Sequence, residues 1–154
     1  MQRALRNITV CLLLAFCAGV SADDASGPPV AALIAEGERQ MQQQDIAGAI
    51  ETLSRAVAAD PGSSLAHTRL GGAYLLHSQY DPAIEQFQRA ISADATNADA
   101  FIGMAVAYLH SGRMGPAKAA LEEAKRIDPS KGERIDQVMD WIDQRAEGVP
   151  ASGH

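Results

Sequence analysis

Apolar and small residues return along the middle of this chain at helical spacing, and the pattern itself repeats every 34 residues. Ala49, Ala83 and Ala117 share one register, as do Ala56, Ala90 and Ala124. Leu53, Phe87 and Leu121 keep the same step, with Asp60, Asp94 and Asp128, while Gly37, Gly71 and Ala105 fall in line and Tyr74 recurs as Tyr108. A fixed period of this size marks a stacked array of helical hairpins, each burying a face that it cannot cover alone. Small residues at the recurrent Gly and Ala positions let two helices approach closely, and Phe87 and the tyrosines fill the gaps between neighbours.

Helix punctuation divides the pattern. Asp81-Pro82 and Gly115-Pro116 predict an N-cap followed by a first-turn proline at the start of two second helices. Pro61 and Pro129 end helices and turn the chain into the following unit. Beyond Pro129, Ser130-Lys131-Gly132-Glu133 reads as a capping box. It opens a last helix with Ile135, Val138, Met139 and Ile142 at i, i+3, i+4 and i+7. Asp136, Asp140 and Asp143 lie largely off that stripe, and Trp141 sits at its edge, partly exposed. A helix apolar on one side and acidic on the other suits the end of a solenoid. The expectation is seven helices: three hairpins and a cap.

The second unit, Leu70-Gly71-x2-Tyr74 followed by Ala83, Phe87 and Ala90, resembles the tetratricopeptide-repeat signature. The third has Met104-Ala105-x2-Tyr108, then Ala117, Leu121, Ala124 and Pro129. The first keeps Gly37, Ala49, Leu53, Ala56 and Pro61 but carries Glu36 and Gln40 where Leu and Tyr are usual, as a degenerate or terminal repeat would. Leu33, His67 and Phe101 stand where the family has tryptophan. The resemblance runs from Val30 to Pro129. It implies an all-α fold, a right-handed α-solenoid of three helix-turn-helix units (about 30–63, 64–97 and 98–131) within a domain over 30–147. The capping helix covers about 131–146.

The amino terminus reads differently. Arg3 and Arg6 precede an apolar run from Ile8 to Val20, then small Ser21 and Ala22, then Asp23-Asp24. That order predicts a secretory signal over 1–22, cleaved after Ala22. The run is shorter than the ~20 apolar residues of an ordinary span, so no stable membrane span is expected after cleavage. An uncleaved anchor is one alternative. Lipid attachment at Cys17 is another, opposed by bulky Phe16 where a lipoprotein peptidase wants a small residue. The expected location is periplasmic or secreted. Residues 23–29 read as a linker and 148–154 as a frayed tail.

Composition narrows the function. Hydrophobic residues make up 47% and charged residues 21%, a globular balance, while aromatics are only 5%, consistent with packing through small side chains. The net charge is −6, and removing Arg3 and Arg6 leaves 11 basic against 19 acidic residues, or −8. Such acidity disfavours nucleic acid and anionic membrane surfaces. Cys11 and Cys17 both lie in the predicted signal, so the remainder has no disulfide or thiol chemistry.

No catalytic motif is recognisable, and no enzyme activity or cofactor is expected. Glu122 and Glu123 are adjacent on a helix and do not share a face, which disfavours paired acid–base work. His77 and His110 lie in related Leu-His-Ser triplets at the ends of first helices. Imidazole suits zinc or copper, but their separation is 33 residues and no cysteine joins them, so a favourable donor near a helix C-terminus is the expected role. His67 is expected at the edge of the core, and the scattered methionines fill gaps.

The family resemblance implies that the first helix of each pair lines a concave groove that holds a peptide or partner helix. At helical spacing those positions are Ile34, Glu38 and Met41, then Thr68, Gly72 and Leu75, then Asp99, Ile102, Val106 and Leu109. The set is mostly apolar with two acids, and lacks the Lys and Asn arrangement by which some members clamp a C-terminal carboxylate. The alternative is that these side chains pack against one another or the cap and leave no groove. The function expected is a non-catalytic protein-binding adaptor outside the cytoplasm, in envelope or secreted complex assembly, with self-association through exposed end faces as the second reading.

Overall fold

A computed structural model describes residues 28–146; the predicted signal peptide, most of the predicted linker and the predicted tail lie outside them. Among the described residues seven α-helices follow one another: α1 (Val30–Gln42), α2 (Ile46–Ala59), α3 (Ser64–Leu76), α4 (Tyr80–Ala93), α5 (Ala98–His110), α6 (Met114–Ile127) and α7 (Gly132–Ala146). No strand occurs among the described residues. Helices pair as α1–α2, α3–α4 and α5–α6, and each hairpin rests on the next, giving an α-solenoid.

The 34-residue period has a physical cause at each position. Ala49, Ala83, Ala117, Ala56, Ala90 and Ala124 are all fully buried, at 0% exposure. Leu53, Phe87 and Leu121 form the buried centre of each hairpin. Gly37 and Gly71 face those side chains: a methyl group on Gly37 would stand 2.5 Å from Leu53 Cγ, and one on Gly71 2.9 Å from Phe87 Cε1. Tyr74 packs against both the first and second buried clusters, and Met104 and Tyr108 against both the second and third, so these three side chains join neighbouring units.

The recurrent aspartates close helices. Asp60, Asp94 and Asp128 each donate a backbone N–H to Ala56, Ala90 or Ala124. Their carboxylates then accept from the backbone two residues on, at Gly62 (3.0 Å), Thr96 (2.9 Å) and Ser130 (3.1 Å). This turn supplies local partners to backbone groups that a helix end would otherwise leave open. The turns within hairpins also recur at the same step: Gln44, Ser78 and Gly112 all have positive φ, at 65°, 60° and 75°.

Three helix starts differ from the sequence expectation. The residues that cap α4 and α6 are Gln79 and Arg113, not Asp81 and Gly115, so Pro82 and Pro116 sit in the third helical position. Only Asp45, at the start of α2, caps one of these second helices with its side chain, accepting from Gly48 N–H at 3.0 Å. The Ser130–Glu133 box does not cap the last helix: Ser130 donates to Asp128 instead, and a short 3-10 turn at Pro129–Lys131 leads into α7 at Gly132. A proline fixes φ near the helical value without fixing which residue precedes the helix, which explains the offset.

Helix α7 begins one 34-residue step after α5 but does not repeat its packing. Ala66 and Ala73 of α3, and Ala100 and Ala107 of α5, are fully buried among residues of the preceding hairpin. The next residues in register are Arg134 and Trp141, both exposed. Ile135 and Ile142, one position further on, are buried instead, at 4% and 2% exposure. One residue corresponds to a roll of roughly 100° about the helix axis. Isoleucine in place of alanine also holds the helices further apart.

Candidate binding face

The odd-numbered helices share one side of the stack, and their positions decide what that side offers. Over α1 and α3 lies an open depression of about 470 Å³ lined by Val30, Ala31, Ile34, Ala35, Glu38, Ser63, Leu65 and Arg69. Arg69 of α3 reaches across to form an ion pair with Glu38 of α1. Both side chains are about a third exposed, so the pair contributes little to stability, on the order of 0.2–1 kcal/mol. Leu65 stands 48% exposed at the edge of the same depression.

Between α3 and α5 the face is closed by a polar network. Asn97, the N-cap of α5, accepts from Ala100 N–H at 3.0 Å and donates through Nδ2 to Ser64 Oγ at 2.8 Å and to Thr68 Oγ1 at 2.9 Å. Ser64 in turn donates to the carbonyl of Ala90 at 2.9 Å. Thr68 is only 6% exposed, so it ties two units together rather than presenting a partner surface.

Between α5 and α7 the side chains part. No Cα of α7 lies within 8 Å of one in α5, whereas α3 approaches both α1 and α5 that closely. The gap is a cleft of about 400 Å³, walled by Ile102, Val106 and Leu109 of α5, Leu121 of α6, and Ile135 and Val138 of α7. Asp99, Lys131 and Arg134 rim it. Lys131 donates to the Asp99 carboxylate, and this hydrogen bond raises its pKa above the ordinary lysine range. A second carboxylate, Asp128, lies 3.4 Å from the same ammonium. Arg134 has no carboxylate within 4 Å among the described residues.

The ten positions singled out from the sequence therefore do not form one continuous trough. Ile34 and Glu38 belong to the first depression, and Asp99, Ile102, Val106 and Leu109 to the cleft. Met41 is half-buried against the first core cluster, and Thr68 is buried between units. Gly72 and Leu75 lie half-buried on α3, and a side chain added at Gly72 would meet nothing within 4 Å. Sequence reasoning missed Arg69, Lys131, Arg134, Ile135 and Val138 on this face. Their signal was present: Lys131 follows Ser63 and Asn97 at the 34-residue step, which carries the face onto the last helix.

Of the three described histidines, His67 and His110 take structural places. His67 is buried; its Nε2 donates to the Pro61 carbonyl at 3.0 Å and its Nδ1 lies 2.8 Å from the Gln86 side-chain amide. His77 follows the end of α3, and His110, the last residue of α5, stacks on Tyr80 with ring centroids 5.3 Å apart. Among the described residues no three His, Cys, Asp or Glu side chains gather as metal ligands, and no helix is long and apolar enough to cross a membrane.

Family models of the tetratricopeptide repeat match residues 34–100 and 75–142. No curated protein matches. Among solved structures the chain is similar to the Yersinia enterocolitica type III secretion translocator chaperone SycD, with 20% identity over 81% of this chain and 99% of that one and a TM-score of 0.74. It is similar to the TPR2B domain of yeast Sti1 in its complex with pHsp70, with 20% identity over 75% and 97% and a TM-score of 0.73. It also resembles MamA, with 28% identity over 77% and 68% and a TM-score of 0.72.

Proposed function

This chain belongs to the tetratricopeptide-repeat family, and on that premise we propose that it is a non-catalytic adaptor outside the cytoplasm, holding a peptide or partner helix on the face of its odd-numbered helices. The observation that carries the reading is the pair of largely apolar depressions on the side of the odd-numbered helices, about 470 Å³ over α1 and α3 and about 400 Å³ between α5 and α7. Fully packed first helices would bury these side chains and leave nothing for a partner. The similar yeast domain forms a complex with pHsp70, and the similar Yersinia protein is a translocator chaperone. Both lend weight to a protein partner here.

Export is supported by the order of Arg3 and Arg6, the apolar run Ile8–Val20, the small pair Ser21-Ala22 and the acids that follow. The net charge of −6 favours a partner other than nucleic acid. Assembly of an envelope or secreted complex fits an exported adaptor with no chemistry of its own.

Two measurements test this reading. Intact mass of the chain recovered from the periplasm or medium should lack residues 1–22, and retention of those residues in the cytoplasm would remove the export claim. A pull-down from an envelope fraction should return a partner that is lost on Leu75→Glu or Val106→Glu. Capture undiminished in both variants would place binding elsewhere. Self-association is a second reading, favoured by Trp141 standing 44% exposed on the terminal helix with Arg145 over its ring at 5.0 Å. Light scattering showing a monomer at high concentration would dismiss it.

A further inference from the structure

The cleft between α5 and α7 differs from the rest of the face, and the difference traces to the roll of the last helix. Where α3 and α5 present fully buried alanines to their neighbours, α7 presents Ile135 and Ile142 and turns Arg134 outward. The result is an apolar cleft with a cation on its rim, in a protein whose net charge is −6. Lys131 is already engaged by Asp99 and Asp128. Arg134 is the rim cation that no carboxylate among the described residues answers.

We propose that this cleft takes two aliphatic side chains, one helical turn apart, from a partner peptide that carries a carboxylate at the end beside Arg134. This rests on the reading of the chain as a protein-binding module and adds the place and the chemistry. Ile102, Val106 and Leu109 span about two turns of α5, roughly 10 Å, which leaves room along the cleft for two side chains at i and i+4 on the partner, roughly 6 Å apart. The cleft, at about 400 Å³, has room for aliphatic side chains. It is open along one side, so a lipid tail laid in it would remain in contact with water. The acidic surface elsewhere repels a carboxylate, and the guanidinium of Arg134 fixes which way round the peptide lies.

The test is a titration of the ¹⁵N-labelled chain with two blocked helical peptides. One carries leucines at i and i+4 and glutamate at i+8, and the other replaces the glutamate with lysine. The glutamate peptide should shift the amides of Ile102, Val106, Ile135 and Val138 and bind about fivefold more tightly than the lysine peptide, the scale of an exposed ion pair. Arg134→Glu, an exposed substitution that leaves the core intact, should reverse the preference. Equal binding of the two peptides, or a preference unchanged in Arg134→Glu, overturns the inference. Decanoate occupying the cleft while neither peptide does overturns the peptide as occupant. Shifts confined to α1 and α3 remove the cleft but leave the adaptor reading standing. The absence of any shift at millimolar peptide removes this chemistry, and the pull-down then decides the adaptor reading independently.

Discussion

Gly103 of α5 lies against the ring of Phe87 in α4, so closely that a methyl group on Gly103 would stand 2.4 Å from Cζ. Gly71 of α3 approaches the same ring, and a methyl there would stand 2.9 Å from Cε1. The ring thus fills the space between two units, and glycine on both flanks is what admits it.

Gly103→Ala should therefore destabilise the chain by about 1–3 kcal/mol through overpacking, although alanine is the better helix former by about 1 kcal/mol. The urea midpoint measures it. Phe87→Leu should remove most of the penalty when the two changes are combined, because the conflicting atoms are gone. A Gly103→Ala protein as stable as the parent would mean that the ring yields without cost.

Gln40 occupies the position held by Tyr74 and Tyr108 in the later units, and its side-chain oxygen is buried without a partner. Burying an unsatisfied amide costs free energy that an apolar side chain of similar size does not. Gln40→Leu is expected to raise stability by about 1 kcal/mol in the same urea experiment. A loss of stability would show that the amide has a hydrogen-bonding role.

Ser78 holds the left-handed turn between α3 and α4 at φ 60°, where the equivalent residue of the next hairpin is Gly112. A residue with a Cβ is strained there by roughly 1–2 kcal/mol. Ser78→Gly should stabilise by about 0.5–1 kcal/mol, less than the strain because glycine also frees the unfolded chain. Gly112→Ser should do the reverse. Equal melting temperatures for both variants and the parent would contradict this account of the turn.

The turns that end α4 and α6 carry a pH signature. Side-chain hydrogen bonds, from Thr96 to Asp94 and from Ser130 to Asp128, hold both carboxyls below their ordinary value of 3.8. A group lowered in this way stabilises the fold above its unfolded pKa, and the contribution disappears as pH falls through the folded one. Thermal melts should hold level from pH 7 to about 5 and decline below about pH 4. Asp94→Asn, which keeps an acceptor but does not titrate, should make the acid decline shallower. An identical decline in that variant would assign it to other carboxyls.

Much of the fold was legible because the 34-residue step marks contacts that every hairpin must make. Alanines at Ala49, Ala83 and Ala117 admit the same close approach three times, so their recurrence reveals their burial. Helix starts were less legible. Pro82 and Pro116 pointed to the right segments, yet Gln79 and Arg113 are poor capping residues and gave no signal of their own. The binding face was legible on single helices but not across them. Thr68 looks like a surface residue at its place on α3, and only Asn97, 29 residues later, draws it into the interior. The roll of α7 escaped the pattern because it arises from bulky Ile135 and Ile142 meeting a surface shaped elsewhere for alanine.

Hydrogen exchange with and without a captured partner bears most directly on the idea that one repeated face does the binding. Protection gained on complex formation is expected in α1, α3, α5 and α7, strongest around Val106 and Val138, with α2, α4 and α6 unchanged. Protection concentrated on α2, α4 and α6 would contradict it.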